Sequence, residues 1–509
     1  MQTANKLQEE NAFLKVQLAQ STQQLEQKNH YIQQLEEALK QQRHQHFGVS
    51  SEKVHPDQLG LFNEAESALE SGLQSQDNQA AVDVAAHTRQ SKPRVSIPGD
   101  LPREEIIYDL NEADKVCPHD GAALQCIGSD DHEQLDIIPA QVKVIRHQRL
   151  KYACPCCDGH IVTANKPKQA IEKSIASAGL LAFVATQKYC DALPLYRQSE
   201  IFKRIGVELD RRNLANWMIK SGELVQPLIN LLRDQLLLQA IIHMEETPVQ
   251  VLNEPGRRAQ SQSYMWVQAA GPPDQHIILF DYDPSRSQTV PTTLLAGYQG
   301  ALMVDGYGGY NAVCEQRSLT RLGCWAHARR KFIEAQRAVG KKGKSAKADY
   351  AVKLMGKLYA LEKHLKEATP THRYAQRQEK AKPITDKLQQ WLQETLPTIP
   401  PKTALGKALH YLHTQWPRLI AYLDDGQYPI DNNRAENAIR PFTIGRKNWL
   451  FCNSVAGARA SANLYSLTET AKANNLNPYE YLKQVFTLLP NANTVEEIEQ
   501  LLPWHLAKN

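Results

Sequence analysis

The stretch MEETPVQVL (Met244–Leu252) follows the short apolar run Ile241–Met244. A brief apolar run of that kind reads as a buried strand, here ending at the acidic pair Glu245–Glu246. Working outward, Tyr264–Ala270 and His276–Asp281 read as neighbouring strands, and Leu302–Val304 as a further short strand ending at Asp305. Two other segments, LMVDGYGGY (Leu302–Tyr310) and DNNRAENAIRPFTIGRKNWLF (Asp431–Phe451), again set a carboxylate beside apolar or basic residues. Three carboxylates gathered by a fold can hold two divalent cations, and two such cations can drive in-line attack on a phosphodiester. Arg434, Arg440, Arg446 and Lys447 add a charge pattern suited to a phosphate backbone. The combination points to cutting or joining DNA.

Asp305 is followed by Gly306, Gly308 and Gly309, which let backbone approach another backbone or a ligand closely. Tyr307 and Tyr310 are placed to stack on an unpaired base or deoxyribose. Asn432–Ile439 lacks proline and glycine and reads as a helix, with Pro441 near its end. Arg329, Arg330 and Lys331 follow His327 in CWAHARRKF (Cys324–Phe332) and offer phosphate contacts. His327, beside Trp325 and Phe332, reads as structural, and the Lys341–Lys347 loop as a solvated basic run.

At 509 residues the chain has room for several domains, and 42% hydrophobic content is enough for real cores. The formal net charge is only +4, so any DNA surface must be local. No apolar run is long enough to span a bilayer, and MQTANKLQEEN lacks the pattern of a secretory signal. The nine cysteines, three of them in CPCC, fit thiols or metal ligands in a reducing cytosol. A cytoplasmic protein, nucleoid-associated when bound to DNA, is expected.

Residues 1–45 read as a coiled coil, with Ala4, Asn11, Leu18, Leu25, Ile32 and Leu39 at one heptad position and Leu7, Leu14 and Leu35 at the other. Ser21 and Lys28 weaken its middle, Asn11 favours a register-specific dimer, and a homo-oligomer formed through this coiled coil is expected. Residues 46–104 hold HFGVSSEK (His46–Lys53) and a polar, small-residue linker. In residues 105–172, Cys117 and Asp120 repeat the spacing of Cys154 and Cys157, so two turns can meet around a structural zinc. Aspartate is a harder ligand than thiolate, which leaves His119, Cys126 and Cys156 as alternatives. Gln134–Ile138 and Val142–Tyr152 are the strand candidates there. Residues 173–237 are helical. Tyr196–Ile205, a turn over Gly206–Asp210, and Arg211–Ile219 outline a helix-turn-helix, with Asp210 as N-cap and Arg211, Arg212 and Asn213 where such motifs meet DNA.

The acidic segments, their order and their neighbours resemble transposases of the insertion-sequence 66 family, within the DDE class of polynucleotidyl transferases. The resemblance also runs through HFGVSSEK, EQLDIIPAQVKVIRHQRLKYACPCC (Glu133–Cys157), LPLYRQ (Leu193–Gln198), CWAHARRKF and LLPWH (Leu501–His505). It implies a multidomain α+β chain: coiled coil, zinc-ribbon-like module, helix-turn-helix-like helices, and a ribonuclease-H-like α/β catalytic domain. That domain would span 238–455 with a helical insertion at about 326–425, before a C-terminal helical region at 456–509. The implied catalytic carboxylates are Glu245, Asp305 and Glu436, holding Mg2+ or Mn2+. The implied function is a DNA transposase that cleaves and joins strands at terminal inverted repeats, as a multimer and alongside small accessory proteins of the same element. The family has aspartate where this chain has Glu245, and also has a cysteine where it has Asp120. The first departure raises the alternative of a catalytically impaired, DNA-binding derivative.

Overall fold

The computed structural model describes residues 15, 17, 22, 28, 104–105, 115, 122, 134, 141–153, 161–338 and 346–506. The heptad seam apart from Lys28, residues 46–103 with the linker, the strand candidate Gln134–Ile138 beyond Gln134, the four candidate zinc ligands Cys117, Asp120, Cys154 and Cys157, and Lys341–Lys344 lie outside these. Lys15, Gln17, Thr22 and Lys28, within the expected coiled coil, are helical and exposed.

The chain divides into two units, one of them residues 78–164. Its described part holds a two-stranded antiparallel ribbon, β1 (Lys151–Ala153) paired with β2 (Ile161–Thr163). The strand expected over Val142–Tyr152 is therefore confined to its last residues. Val142, Val144, Ile145 and Leu150 are all exposed, so among the described residues their alternation finds no face to bury.

The larger unit is built on a mixed sheet. Its central strand, β3 (Ile241–Asn253), runs well past the short strand expected from the apolar residues alone. The continuation Thr247, Val249, Val251 alternates with exposed Pro248 and Gln250, the pattern of a strand with one buried face. β4 (Gln262–Ala270) and β5 (Ile277–Asp283) follow as antiparallel neighbours, with Glu245 opposite Val267. β6 (Ala301–Val304) and β7 (Thr320–Gly323) lie on the other side of β3 and run parallel. Parallel pairing requires crossovers. The short helices α5 (Thr289–Leu294) and α6 (Asn311–Arg317) supply them. The order is β5-β4-β3-β6-β7, and β8 (Cys452–Ser454) pairs with the far end of β3.

Four helices precede the sheet: α1 (Ala178–Tyr189), α2 (Leu195–Arg204), α3 (Arg211–Leu224) and α4 (Gln226–Leu237). Asp210 caps α3, accepting from the Arg212 backbone N–H at 2.6 Å, and Gly206 turns the chain at φ +85°. Arg211, Arg212 and Asn213 are exposed. After β7 comes a helical insertion: α7 (Trp325–Ala338), α8 (Ala346–His364), α9 (Pro370–Gln376), α10 (Lys382–Thr395) and α11 (Ala404–Ile420). It has its own core, with Trp325, Phe332, Met355, Leu388, Leu409 and Trp416.

α12 (Asn433–Trp449) returns the chain to the sheet and continues through Pro441, where the sequence suggested an end. Proline inside a helix costs about 3 kcal/mol. Ala438, Ile439, Phe442 and Gly445 are buried on both sides of it, so one continuous apolar face offsets that cost. α13 (Val455–Ala473), α14 (Pro478–Leu488) and α15 (Val495–Glu499) complete the chain. α13 crosses α3 so closely that a Cβ on Gly222 would sit 2.6 Å from Ala460 Cα.

α13 also covers the edge strand β5 with side chains in place of a further strand. Ser466 Oγ accepts from Phe280 N at 2.7 Å, and Thr470 Oγ1 accepts from Ile278 N at 3.0 Å. Asn474 Oδ1 accepts from His276 N at 3.0 Å. An edge protected in this way cannot template pairing with another chain. Residues of α1–α4, the sheet, α12, α13 and α14 share one apolar core. The divisions expected at 237/238 and 455/456 therefore do not part separate cores.

Candidate metal centre

β3 and β6 end their parallel pairing beside one another, which brings Glu245 close to Asp305. Ligand atoms of Glu245, Asp305 and His327 lie within 4.8 Å of one another, and so do those of Cys324, His327 and Glu436. His327, from the first turn of α7, belongs to both groups. Glu436, in the first turn of α12, is 3% exposed. Its Oε1 lies 3.3 Å from His327 Nδ1 and its Oε2 3.3 Å from Arg330 Nη2.

Asn432 ties the elements together. Its side-chain amide donates to the Met244 carbonyl at 2.8 Å and to Glu245 Oε2 at 3.1 Å. Its Oδ1 meets His243 Nδ1 at 3.1 Å, and its backbone N–H donates to Cys324 Sγ at 3.2 Å. Asp305 Oδ1 accepts from Tyr307 N at 2.9 Å, while its carbonyl accepts from Arg321 at 2.9 Å. Glu246 points elsewhere: it pairs with Arg286 at 2.5 Å and accepts from the Tyr310 hydroxyl.

Burial among these like charges has a clear electrostatic result. The Glu245 carboxyl is pushed well above the ordinary carboxylate range, first by burial and then by Asp305, Glu246 and Glu436. Burial likewise raises Glu436 to about 7, against the opposing pull of Arg330. Burial and the Arg330 charge lower His327 to about 4, so its ring is neutral. Its Nδ1 is buried without an aligned hydrogen bond. Mutually repelling carboxylates and an unsatisfied neutral imidazole are what a divalent cation would relieve. The donor set fits one: oxygen ligands suit Mg2+ or Mn2+, and the imidazole suits the softer of the two.

The remaining expected site residues fall differently. Arg329 is buried at 5% exposure, which removes it from any surface a phosphate can reach. Arg330 pairs with Glu436, and Lys331 lies over the Tyr411 ring at 4.9 Å. Arg434 turns inward to the Ala270 and Gly271 carbonyls and His276, and Arg446 to Thr247 and the Pro248 carbonyl. Arg440 is half-buried, and Lys447 is exposed. Tyr310 is fully buried, so it cannot stack on a base. Tyr307 carries Arg286 over its ring at 3.9 Å. Two of the three glycines beside them make room for protein: a Cβ on Gly306 would meet Tyr411 at 2.7 Å and one on Gly309 would meet Tyr307, whereas Gly308 borders open space.

The sequence read His327 as structural and gave no role to Cys324 or Asn432, whereas His327 stands with the carboxylates in both groups of candidate ligands. The signal was the Cys-Trp-Ala-His spacing, which puts two ligand types three residues apart at the start of a helix.

Among the described residues no helix is long and apolar enough to cross a membrane. The chain is 34% identical over 484 residues to uncharacterized protein y4qI of Sinorhizobium fredii (strain NBRC 101917 / NGR234), covering 91% of this chain and 87% of that protein. It is 31% identical over 421 residues to uncharacterized protein y4jD of the same organism, covering 80% and 81%. Residues 114–158 match the zinc-finger binding domain of transposase IS66, which implies zinc binding. Residues 466–504 match the IS66 C-terminal element, and residues 34–106 the pattern described as transposase C of IS166 homeodomain. Residues 173–460, more than half the chain, match the pattern described as Transposase IS66 family. A role on DNA and use of a divalent metal follow from that match, and the chain belongs to the IS66 family of transposases.

Proposed function

We propose that this chain is a DNA transposase that cleaves and joins strands at the ends of its element, with Glu245, Asp305 and Glu436 holding Mg2+ or Mn2+. The observation that carries the reading is the gathering of Glu245 and Asp305 with His327, whose Nδ1 lies 3.3 Å from Glu436. The strand order, three antiparallel strands followed by two parallel ones, supports a ribonuclease-H-like sheet. When bound, divalent cations would supply charge neutralisation and an activated oxygen nucleophile at a phosphodiester.

The chain's own residues do the positioning. Asn432 holds Glu245 Oε2, so the longer glutamate side chain is anchored rather than left to swing. Tyr307 N–H fixes one oxygen of Asp305. Arg330 turns Glu436 so that its other oxygen faces His327. Fixed ligands matter because a displacement of about 1 Å can cost on the order of a hundredfold in rate. Exposed Arg211, Arg212 and Asn213 at the start of α3 are the candidate duplex contacts, and the expected Zn2+ module at Cys117, Asp120, Cys154 and Cys157 a further one. Binding of the terminal inverted repeats as a homo-oligomer completes the reading.

The test is cleavage and strand transfer on the element's terminal DNA with Mg2+ or Mn2+, comparing the chain with Glu245→Asp and Asp305→Ala. Activity lost in Asp305→Ala supports the proposal. Activity confined to Glu245→Asp would make this copy the impaired, DNA-binding alternative. Activity retained in Asp305→Ala would overturn the site.

A further inference from the structure

Cys324 leaves β7 and His327 lies in the first turn of α7, both facing Glu436 on α12. Glu436 Oε1 is 3.3 Å from His327 Nδ1 and 4.0 Å from Cys324 Sγ. In a tetrahedral zinc site with bonds of about 2.0–2.3 Å, neighbouring ligand atoms stand roughly 3.3–3.6 Å apart. The first distance already has that spacing and the second exceeds it by a few tenths of an ångström, while the Cys324 and His327 ligand atoms lie within 4.8 Å of one another. A thiol, an imidazole and a carboxylate form a donor set suited to Zn2+ rather than to Mg2+.

Two further observations point to an ion. His327 Nδ1 is buried and lacks an aligned hydrogen bond, although the carboxylate oxygen is near. The Asn432 backbone N–H donates to Cys324 Sγ at 3.2 Å, an outer contact that orients a sulfur ligand and supports its thiolate form.

We propose that Cys324, His327 and Glu436 form a second cation site, of zinc type, adjoining Glu245 and Asp305 and sharing His327 and Glu436 with that centre. The Cys324 proton leaves to solvent as the ion binds. An ion held here draws Glu436 Oε1 and the His327 ring toward Cys324 and away from Glu245 and Asp305. Zinc-class ions therefore inhibit chemistry that Mg2+ or Mn2+ supports. The inhibition rests on the function proposed above, whereas the binding does not.

Co2+ titration of the full chain, followed by absorption, tests the site. The parent chain should bind one more equivalent than Cys324→Ser and show the stronger thiolate-to-cobalt charge-transfer absorption. The cysteines near residues 117 and 154–157 are present in both chains and cancel in the difference. Asp305→Ala should keep the extra equivalent. Equal stoichiometry and equal spectra in the parent and Cys324→Ser would overturn the site. Should Cys324→Ser lose its circular dichroism, His327→Gln serves instead: Co2+ affinity at this site should fall at least about tenfold, and unchanged affinity would overturn the proposal. Zn2+ should suppress Mn2+-supported cleavage in the parent more than in Cys324→Ser, and equal suppression would sink the inhibitory role. If no chain cleaves DNA, the transposase reading fails while the Co2+ result stands.

Discussion

Two groups of basic residues in this chain look alike in sequence and behave oppositely in the fold. Arg211 and Arg212 open α3 behind the cap of Asp210 and are exposed. Arg329, Arg330, Arg434 and Arg446 flank the carboxylates and turn inward, to a buried position, to Glu436, or to backbone carbonyls. Arginine near an acidic motif thus serves first to neutralise and brace it. The guanidinium's five donors suit it to satisfy carbonyls at the sheet edge as well as phosphates. A basic residue's role follows from which helix face it occupies, not from its distance in sequence to a catalytic carboxylate.

The sharpest break of that comparison lies at the carboxylates. Asp305→Ala should lower metal-dependent cleavage by at least about a hundredfold, equivalent to about 2.7 kcal/mol of barrier. Its metal-free chain should melt no lower, because a charge repelling Glu245 has gone. A lower melting temperature without metal would mean that Asp305 is structural.

Next in size is Arg434→Met. It leaves the Ala270 and Gly271 carbonyls without their donor, and should destabilise the fold by about 1–3 kcal/mol in urea titration. A neutral result would return Arg434 to the list of candidate DNA contacts.

The pH dependence tests the site's charge. In the metal-free chain Glu436 is raised to about 7 by burial, and Glu245 is raised well above the ordinary carboxylate range by burial and then by its acidic neighbours. A raised carboxyl favours the folded state fully below its unfolded value, and that contribution is lost as pH climbs toward 7. The metal-free parent should therefore lose stability relative to Glu436→Gln between pH 5.5 and 7.5, by the equivalent of about 1–2 kcal/mol, while the lowered His327 and His243 contribute with the opposite sign in both chains. Added Mn2+ should raise the parent's melting temperature more at pH 7.5, where the carboxylates are charged. Equal Mn2+ shifts at both pH values would argue against carboxylate ligation.

The smallest effect on stability belongs to the exposed pair. Arg211→Ala with Arg212→Ala should change unfolding free energy by less than about 0.5 kcal/mol. If each contacts a phosphate, the salt dependence of DNA binding should shallow by about 0.9 in log–log slope per residue. An unchanged slope would leave α2 and α3 as an ordinary buried helix pair.

Much of the architecture was legible because it rests on local rules. The strands came from apolar runs, α3 from the Asp210 cap, and the acidic segments from their setting. The reading stopped short where tertiary packing overrode a local signal. β3 runs through Glu245 and Glu246 because β4 pairs with it, and α12 runs through Pro441 because Phe442 and Gly445 are buried beyond it. The cover of β5 by Ser466, Thr470 and Asn474 had no signal, since small polar residues in a helix commonly face solvent.

By itself the sequence determined the residue types of the site, the alternation that makes strands, and the caps and turns that start helices. These depend on side chains within a few positions of one another along the chain. Only the tertiary structure decided which carboxylates meet, that His327 stands between them, that Tyr310 and Arg329 are interior, and that Glu246 pairs with Arg286. Those outcomes depend on residues up to 191 positions apart, Glu245 to Glu436, brought together by sheet register and by the helical insertion. Burial and like-charge repulsion, which set the behaviour of Glu245 and Glu436, exist only after that meeting.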